Sequence, residues 1–244
     1  MSLAATYLGA NGWLLEIGSL RILVDPWLRG MLSFPPGPWF LRGELGTEQP
    51  IPGDLDLLLL TQGLADHAHP ATLRLLPREL PVIGSAAAAR VVTSLGFTNV
   101  TRLKPGESSQ HHELTIRATA GAPVPHVENG YLLHHPEGQL YLEPHGFLDP
   151  SLPPQPLDAV ITPMVDLGLP LAGSFVKGCS VVPDLVKRFQ PRTILASTSG
   201  GDVRFQGALS HLLQMAGSAA ETAQCLPAET RWLDSNPGER YELH

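Results

Sequence analysis

Long apolar runs and basic clusters are both missing from this 244-residue chain. No apolar run approaches the ~20 residues that a membrane-spanning helix needs, so no membrane partner is expected. Lys and Arg number 16 against 23 Asp and Glu, which gives a net charge of −7, and no basic run stands out. Nucleic-acid binding is therefore not expected either.

Cysteine is scarce as well. The two cysteines, Cys179 and Cys225, lie far apart and match neither a disulfide framework nor a thiolate metal motif. The N-terminus enters a strand pattern at once, without the basic and apolar segments of a secretory signal. These features favour a cytoplasmic location.

Hydrophobic residues make up 43% of the chain, and charged residues only 16%, which is typical of a globular protein with a large core. Alternating runs such as Ala4–Leu8 and Trp13–Ile17 predict strands, and Val182–Phe189 and Gly207–Ala216 predict helices. Strand-rich segments that are followed by helices predict two sheets packed face to face with helices outside.

The same order of elements is repeated once along the chain, with a seam near residues 106–112. We therefore expect a single domain over residues 1–244, built from two similar halves.

The most informative stretch is Asp56–His69. Four consecutive leucines predict a buried strand that ends at Thr61, and a turn containing glycine then delivers Asp66, His67 and a second histidine. A carboxylate beside an imidazole just past a strand end is a common start of a metal site, because the strand fixes the backbone and the loop aims the ligands. The alternative is structural: Asp66 caps the turn or the next helix, and His67 fills a polar pocket.

A segment rich in Pro and Gly, Trp27–Gly53, has no periodicity and is predicted to be a long ordered loop. It carries Trp27, Phe34, Trp39 and Phe40. Aromatic side chains above a cleft accept an apolar small molecule and exclude water. They equally suit an interface of a homo-oligomer, and the sequence leaves both interpretations open.

Three parts of the chain together resemble the metallo-β-lactamase superfamily, especially its lactonase-like branch: the opening hairpins from Thr6 to Leu28, the strand that leads into Thr61–His67, and Asn129–Tyr131. The resemblance covers nearly the whole chain. It implies an α+β fold, a four-layer αββα sandwich of two mixed sheets, with the active site at the strand ends between the sheets. It also suggests hydrolysis of a small ester, lactone or phosphoester.

Most metal ligands that the resemblance implies are replaced in this chain. The family motif T-H-x-H-x-D-H is matched by Thr61–His67, with Gln62 and Leu64 in place of the two leading histidines. Leucine cannot ligate a metal, and glutamine is a poor substitute for imidazole on zinc. Only Asp66 and His67 of the motif stand unchanged.

The remaining ligand positions differ too. The resemblance places the next histidine where Thr119–Ala122 stands and the last histidine where Ser197–Ser199 stands. The family's bridging aspartate is matched by the segment Glu143–His145. An imidazole nitrogen offers one lone pair to one metal, whereas a carboxylate can bridge two. A dinuclear centre is therefore not expected.

Asp66, His67 and His145 remain as the ligands expected for at most one divalent metal, such as zinc or manganese, with a metal-free site as the alternative. In the first case Asp66 also orients the attacking water, and the chain is a diverged hydrolase. In the second it is a non-catalytic member that binds a small molecule or a partner. The residues expected to support the ligands or to contact the substrate are Gln62, His69, His126 and Glu143. Of these, His69 stands at a helix entry and is predicted to face solvent.

Overall fold

The computed structural model describes residues 3–123, 127–170, 173–197 and 203–243. The strands that precede residue 103 are β1 (Leu3–Gly9), β2 (Gly12–Ile17), β3 (Leu20–Val24), β4 (Met31–Phe34), β5 (Leu41–Leu45), β6 (Leu57–Leu60), β7 (Val82–Gly84) and β8 (Val100–Arg102). The later strands are β9 (Ser108–His111), β10 (Leu114–Pro123), β11 (Val127–His135), β12 (Gly138–Leu142), β13 (Ala159–Pro163), β14 (Asp166–Leu169), β15 (Gly173–Lys177), β16 (Thr193–Ser197), β17 (Val203–Gln206), β18 (Gln214–Ala216), β19 (Arg231–Leu233) and β20 (Arg240–Glu242). The helices are α1 (Pro70–Leu73), α2 (Ala86–Ser94), α3 (Gly178–Phe189) and α4 (Ala219–Ala223), with a 3₁₀ turn at Ala208–His211.

None of these helices is long and apolar enough to cross a membrane.

Two seven-stranded mixed sheets form the centre of the fold. The first has the order β20-β1-β2-β3-β6-β7-β8, and the second has the order β19-β16-β13-β12-β11-β10-β9. Within the first sheet β3, β6, β7 and β8 are parallel, and within the second β12, β13, β16 and β19 are parallel. Parallel neighbours end at the same edge, so the loops that follow them gather there.

Strand β6 shows why the sequence folds into layers. Leu57 and Leu59 belong to the core between the two sheets, whereas Leu58 and Leu60 pack in the apolar layer that includes residues of α1 and α2. A strand buried on both faces needs this continuous apolar run. On the far side, α3 buries Val182 against the second sheet. The predicted αββα sandwich is therefore confirmed.

The prediction of an irregular loop over Trp27–Gly53 was wrong, because β4 and β5 form an antiparallel hairpin inside it. Strand β17 adds to β5 and completes a small three-stranded sheet. The alternation along these strands is hard to see because they are short and lie partly exposed.

The helix predicted at Gly207–Ala216 was also wrong. The chain there makes the 3₁₀ turn and then β18, which pairs with β14. The neighbouring segment Leu167–Gly178, predicted as a loop, supplies β14 and β15 as a hairpin. Pairing between distant segments has overridden local propensity in both places. Helix α3 begins at Gly178, four residues before the predicted start at Val182.

Candidate functional site

A cluster of buried polar side chains lies at the ends of three strands, two from the parallel part of the first sheet and one from that of the second. Asp25 follows β3 directly, Thr61 follows β6, and Glu143 follows β12. The exposed fractions of these three residues are 1%, 0% and 1%. This carboxyl-terminal edge is the common place for a ligand site in sheets with parallel strands.

His67 is the centre of the cluster and is held by Asp25. Its Nδ1 donates to Asp25 Oδ2 over 2.8 Å. The backbone N–H of Thr61 donates to Asp25 Oδ1 at 2.8 Å, and the Thr61 hydroxyl donates to Asp25 Oδ2 at 2.5 Å. A carboxylate bonded to one ring nitrogen fixes the tautomer and turns the other nitrogen toward the site. Nε2 of His67 is therefore the ring atom that faces the site.

Nε2 of His67 faces the Asp66 carboxylate and an asparagine from another part of the chain. Asp66 Oδ2 lies 3.5 Å from this nitrogen. The side-chain nitrogen of Asn11 lies 3.1 Å from His67 Nε2 and 3.3 Å from Asp66 Oδ2. The second carboxylate oxygen, Asp66 Oδ1, is buried and has no hydrogen-bond partner among the described residues. The predicted pair Asp66 and His67 is thus brought together.

The carboxylates beside His67 favour the protonated, positively charged form of its ring. Burial lowers the pKa of His67, but the carboxylates of Asp66 and Asp25 outweigh burial and raise that pKa to about 9. Burial and the neighbouring charge of His67 lower the pKa of His145 to about 3. The two imidazoles, whose ring centres are 5.2 Å apart, therefore differ in charge at neutral pH.

His145 is held from the first sheet by Gln62. Nε2 of Gln62 lies 2.5 Å from His145 Nδ1, and the Gln62 side chain is almost fully buried. The backbone carbonyl of His145 accepts from the N–H of Lys177 at 2.9 Å, which fixes the loop after β12. The sequence placed these two residues 83 positions apart, and the fold brings their side chains into contact.

The orientation of the Gln62 amide decides what His145 can do. When Nε2 of Gln62 donates to Nδ1, the ring carries its proton on Nε2 and acts as a hydrogen-bond donor. When the amide is turned over, Oε1 accepts from Nδ1–H, and the lone pair on Nε2 becomes available to a metal. In the orientation described, Oε1 of Gln62 is buried without a hydrogen-bond partner among the described residues.

Glu143 supports the loop that carries His145. Its Oε2 accepts from the backbone N–H groups of His145, at 3.0 Å, and of Phe147, at 2.5 Å. Burial raises the pKa of Glu143 to about 7, although these backbone donors and His67 oppose the shift. Glu143 therefore fixes the backbone of the loop that carries His145.

The prediction that His69 faces solvent was wrong. Only 3% of His69 is exposed, and its Nδ1 accepts from the backbone N–H of Thr72 at 3.4 Å at the start of α1. Burial lowers the pKa of His69. This histidine serves as the helix cap, a role that the sequence had offered to Asp66 as an alternative. His126, predicted near the site, lies outside the described residues.

Two residues of the cluster were not predicted as site residues. Asp25 had one signal in the sequence, since a lone acidic residue ends the apolar strand β3 and precedes a proline. Its backbone has a left-handed conformation with φ 42°, which Asp tolerates better than most residues. Asn11 had no such signal, because Asn-Gly between two strands already indicates a hairpin turn.

A pair of metal ions does not fit this site, because Gln62 and Leu64 hold the positions of the family's leading histidines. Of the predicted pair, Nδ1 of His67 is hydrogen-bonded to Asp25, and Oδ1 of Asp66 is a buried oxygen without a hydrogen-bond partner among the described residues. Across the described ranges, no group of three or more His, Cys, Asp or Glu side chains is arranged to hold a metal ion. Ligation by His145 therefore stays a prediction.

The sandwich and the histidine–carboxylate cluster at its strand ends define a protein of the metallo-β-lactamase class. A family model described as the beta-lactamase superfamily domain matches residues 4–197. The chain therefore belongs to the beta-lactamase superfamily. No curated protein matches the sequence.

Solved structures of low sequence identity share the fold over the whole chain. An isothiocyanate hydrolase from Delia radicum gut bacteria has a TM-score of 0.70 at 17% identity, with 99% of each chain covered. A possible metal-dependent hydrolase from Veillonella parvula has a TM-score of 0.71 at 17% identity, with 100% of each chain covered. The metallo-beta-lactamase fold protein YhfI from Bacillus subtilis has a TM-score of 0.64 at 13% identity, with 98% of each chain covered.

Proposed function

We propose that this protein is a hydrolase of a small ester, lactone or phosphoester, and that Asp66, His67 and His145 hold one divalent cation. The observation that carries the proposal is the bond between His67 Nδ1 and Asp25, which turns Nε2 toward the Asp66 carboxylate. Its fold neighbours include an isothiocyanate hydrolase and a possible metal-dependent hydrolase, which supports hydrolysis in general and leaves the substrate class to the proposal.

Each polar residue of the cluster has a role in this reaction. Asp25 keeps the proton of His67 on Nδ1, and Gln62 holds the ring of His145. Asp66 Oδ1, which lacks a hydrogen-bond partner among the described residues, accepts a hydrogen bond from the attacking water and orients it. Asp66, His67 and His145 would hold the cation, which would supply Lewis-acid activation of water and of the bond to be cleaved.

A second function is a metal-free cleft that binds a small molecule without hydrolysing it. One observation favours it: the Asn11 amide already lies against both Asp66 Oδ2 and His67 Nε2. A third ligand is also absent from the arrangement around these two residues in the described part of the chain.

The test is metal analysis of the purified protein by mass spectrometry after incubation with Zn²⁺ and Mn²⁺, together with hydrolysis of nitrophenyl esters, lactones and phosphoesters. We expect about one equivalent of metal in the native protein. The variants Asp66→Ala and His145→Ala should lose most of it, because each removes a ligand. The matched control is His112→Ala, since His112 is exposed in the turn between β9 and β10, before β10 runs toward the site.

Two results would contradict the proposal. Metal below about a tenth of an equivalent, with thermal stability unchanged by added metal, would show that no cation binds, because a bound cation stabilises the folded state. Full metal content in His145→Ala would remove that residue from the ligand set. Binding of a small molecule with neither metal nor hydrolysis would establish the second function.

A further inference from the structure

A cavity of about 550 Å³ lies between helix α3 and the segment that follows β12. Small-molecule sites usually have volumes of about 300–1,000 Å³, so this cavity has the size of a ligand site. The segment contributes Gly146, Phe147 and Leu148 to the wall, and the helix contributes Val181. The lining residues lie outside the polar cluster around His67, so the cavity is a second feature of the molecule.

Positive side chains line this cavity, although the whole chain has a net charge of −7. The chain contains only three lysines, and two of them, Lys177 and Lys187, lie at the cavity together with Arg188. Among the described residues, no carboxylate forms an ion pair with any of these three cations. Asp184 supplies a negative charge to the same wall. A cavity with an excess of unpaired positive charge attracts an anionic ligand.

Lys177 contradicts the usual preferences of a helix start. It occupies the N-cap position of α3, and its side chain makes no capping hydrogen bond. A cation is unfavourable there, because the N-terminus of a helix carries partial positive charge and is capped better by Ser, Thr, Asp or Asn. Lys187 and Arg188, by contrast, lie in the last turn, where the helix dipole favours cations. A local rule that is broken without a local gain is expected at functional positions.

Arg188 is held in place by the segment that faces it. Its Nη1 donates to the backbone carbonyls of Pro150 and Leu152, and its own carbonyl accepts from the N–H of Gln155 at 3.2 Å. Prolines at four of the positions 150–156 restrict the backbone of this wall. The donors on Nε and Nη2 have no partner among the described residues, and this edge of a guanidinium matches a carboxylate or phosphate group.

Lys177 and Arg188 stand at opposite ends of the cavity. Eleven positions of α3 separate them, which corresponds to about 16 Å along the helix axis. On the facing wall, Gly146 packs against Lys177, where a Cβ would lie 2.7 Å from the carbonyl oxygen. At the other end of that wall, Pro150 contacts Arg188. The apolar pair Phe147–Leu148 therefore lies between the two charged ends.

We propose that this cavity binds an elongated organic dianion. One acidic group, a carboxylate or a phosphate, contacts Lys177, and the other contacts Lys187 and Arg188. The middle of the ligand is apolar and uncharged, because it lies along Phe147 and because Asp184 repels negative charge there. These residues take no part in the proposed function, so the second site stands independently of it.

Isothermal titration calorimetry on the full-length protein compares naphthalene-2,6-dicarboxylate with naphthalene-2-carboxylate, which lacks the second acidic group. The native protein should bind the dicarboxylate about tenfold more tightly, because a hydrogen bond to a charged group contributes about that factor. Lys177→Gln should bind the two compounds equally, and Lys187→Gln should weaken the binding of both. The matched control is Lys104→Gln, which changes the third lysine at an exposed position before β9 and should behave like the native protein.

The diphosphonate of the same ring, titrated in parallel, shows which acidic group the cations prefer, and tight binding of either dianion supports the site. Nuclear magnetic resonance then locates the bound compound. The backbone amide resonances of Phe147, Leu148 and Val181 should shift on addition of the dianion. Those of Trp39, which is 67% exposed on another part of the surface, should stay in place.

Four results would overturn this inference. They are no binding of either dianion by the native protein at millimolar concentration, equal affinity for the dicarboxylate and the monocarboxylate, an unchanged preference for the dicarboxylate in Lys177→Gln, and resonance shifts that lie away from the cavity. Both lysines that are replaced have exposed side chains, so loss of folding does not obscure the comparison. Metal content and hydrolysis are measured separately, and either can fail without changing these four results.

Discussion

The two edges of the cleft differ in the chemistry that each sheet supplies. At the edge of the first sheet, Asp25, Asp66 and His67 form a charged group whose members contact one another. At the edge of the second sheet, the buried polar residues at the positions of two family histidines are Thr119 and Ser197, which carry only hydroxyl groups. The charged side chains that contact one another therefore lie on one side, and the buried carboxylate of the second edge, Glu143, accepts from backbone N–H groups instead.

The two edges differ in how their buried side chains are stabilised. A buried carboxylate is costly unless it is paired, so Asp25 and His67 depend on each other. A buried hydroxyl group is uncharged, so its burial costs less than that of an unpaired carboxylate. His145 is the one imidazole that the second sheet brings to the charged side, and it reaches the cluster through Gln62.

The largest expected effect is the loss of Asp25. Asp25→Ala removes the partner of His67 and two hydrogen-bond acceptors of Thr61, so it should lower the free energy of unfolding by about 3–5 kcal/mol. Urea denaturation of the native protein and the variant measures this loss of stability. The control is Glu44→Ala, because the ion pair of Glu44 with Arg42 joins two side chains that are 37% and 40% exposed; we expect less than about 1 kcal/mol there. Equal losses of stability at both positions would show that the buried carboxylate stabilises the protein no more than the exposed one does.

The pH dependence of stability should reveal the charge on His67. Its pKa is raised from 6.5 to about 9 in the folded protein, so its contribution is fully present below pH 6.5 and is lost as the pH rises through 9. Urea unfolding of the metal-free protein between pH 6 and pH 10 should therefore show a decline that His67→Gln lacks. Ring resonances of His67 that titrate near pH 6.5 would contradict this.

The connection between the two edges is tested at Gln62. Gln62→Glu offers only acceptor oxygens to His145 Nδ1, which leaves the lone pair on Nε2 for a metal. Gln62→Leu offers nothing. Because partners of ligating histidines typically change metal affinity 10- to 100-fold, we expect at least about tenfold tighter Zn²⁺ binding in Gln62→Glu than in Gln62→Leu. Equal affinities in a calorimetric titration would show that His145 does not ligate the metal.

The smallest effect is expected at the hydroxyl-lined edge. Thr162 is fully buried in β13, and its hydroxyl has no hydrogen-bond partner among the described residues. Thr162→Val should therefore change the free energy of unfolding by less than about 1 kcal/mol, or stabilise the protein slightly. A loss above about 2 kcal/mol in thermal or urea unfolding would show that this hydroxyl is paired and that the second edge is not neutral.

Prediction from the sequence succeeded where a pattern is local and repeated. The four leucines of β6 indicated a strand buried on both faces, and the strand does separate two apolar layers. The sandwich and the superfamily were also predicted correctly. Strands β4 and β5 were missed because they are short and partly exposed, and β18 was missed because it pairs with β14, far away along the chain.

For the candidate site, the sequence by itself determined that Asp66 and His67 stand together after a strand and that Gln62 and Leu64 replace two metal ligands. These are adjacent positions in one turn, so their proximity follows from covalent connection. Only the tertiary structure decided that Asp25 fixes the His67 ring, that Gln62 contacts His145 and that the Asn11 amide lies between Asp66 and His67. Those contacts join segments that are distant in the chain, and the contact of Gln62 with His145 depends in addition on how the two sheets pack.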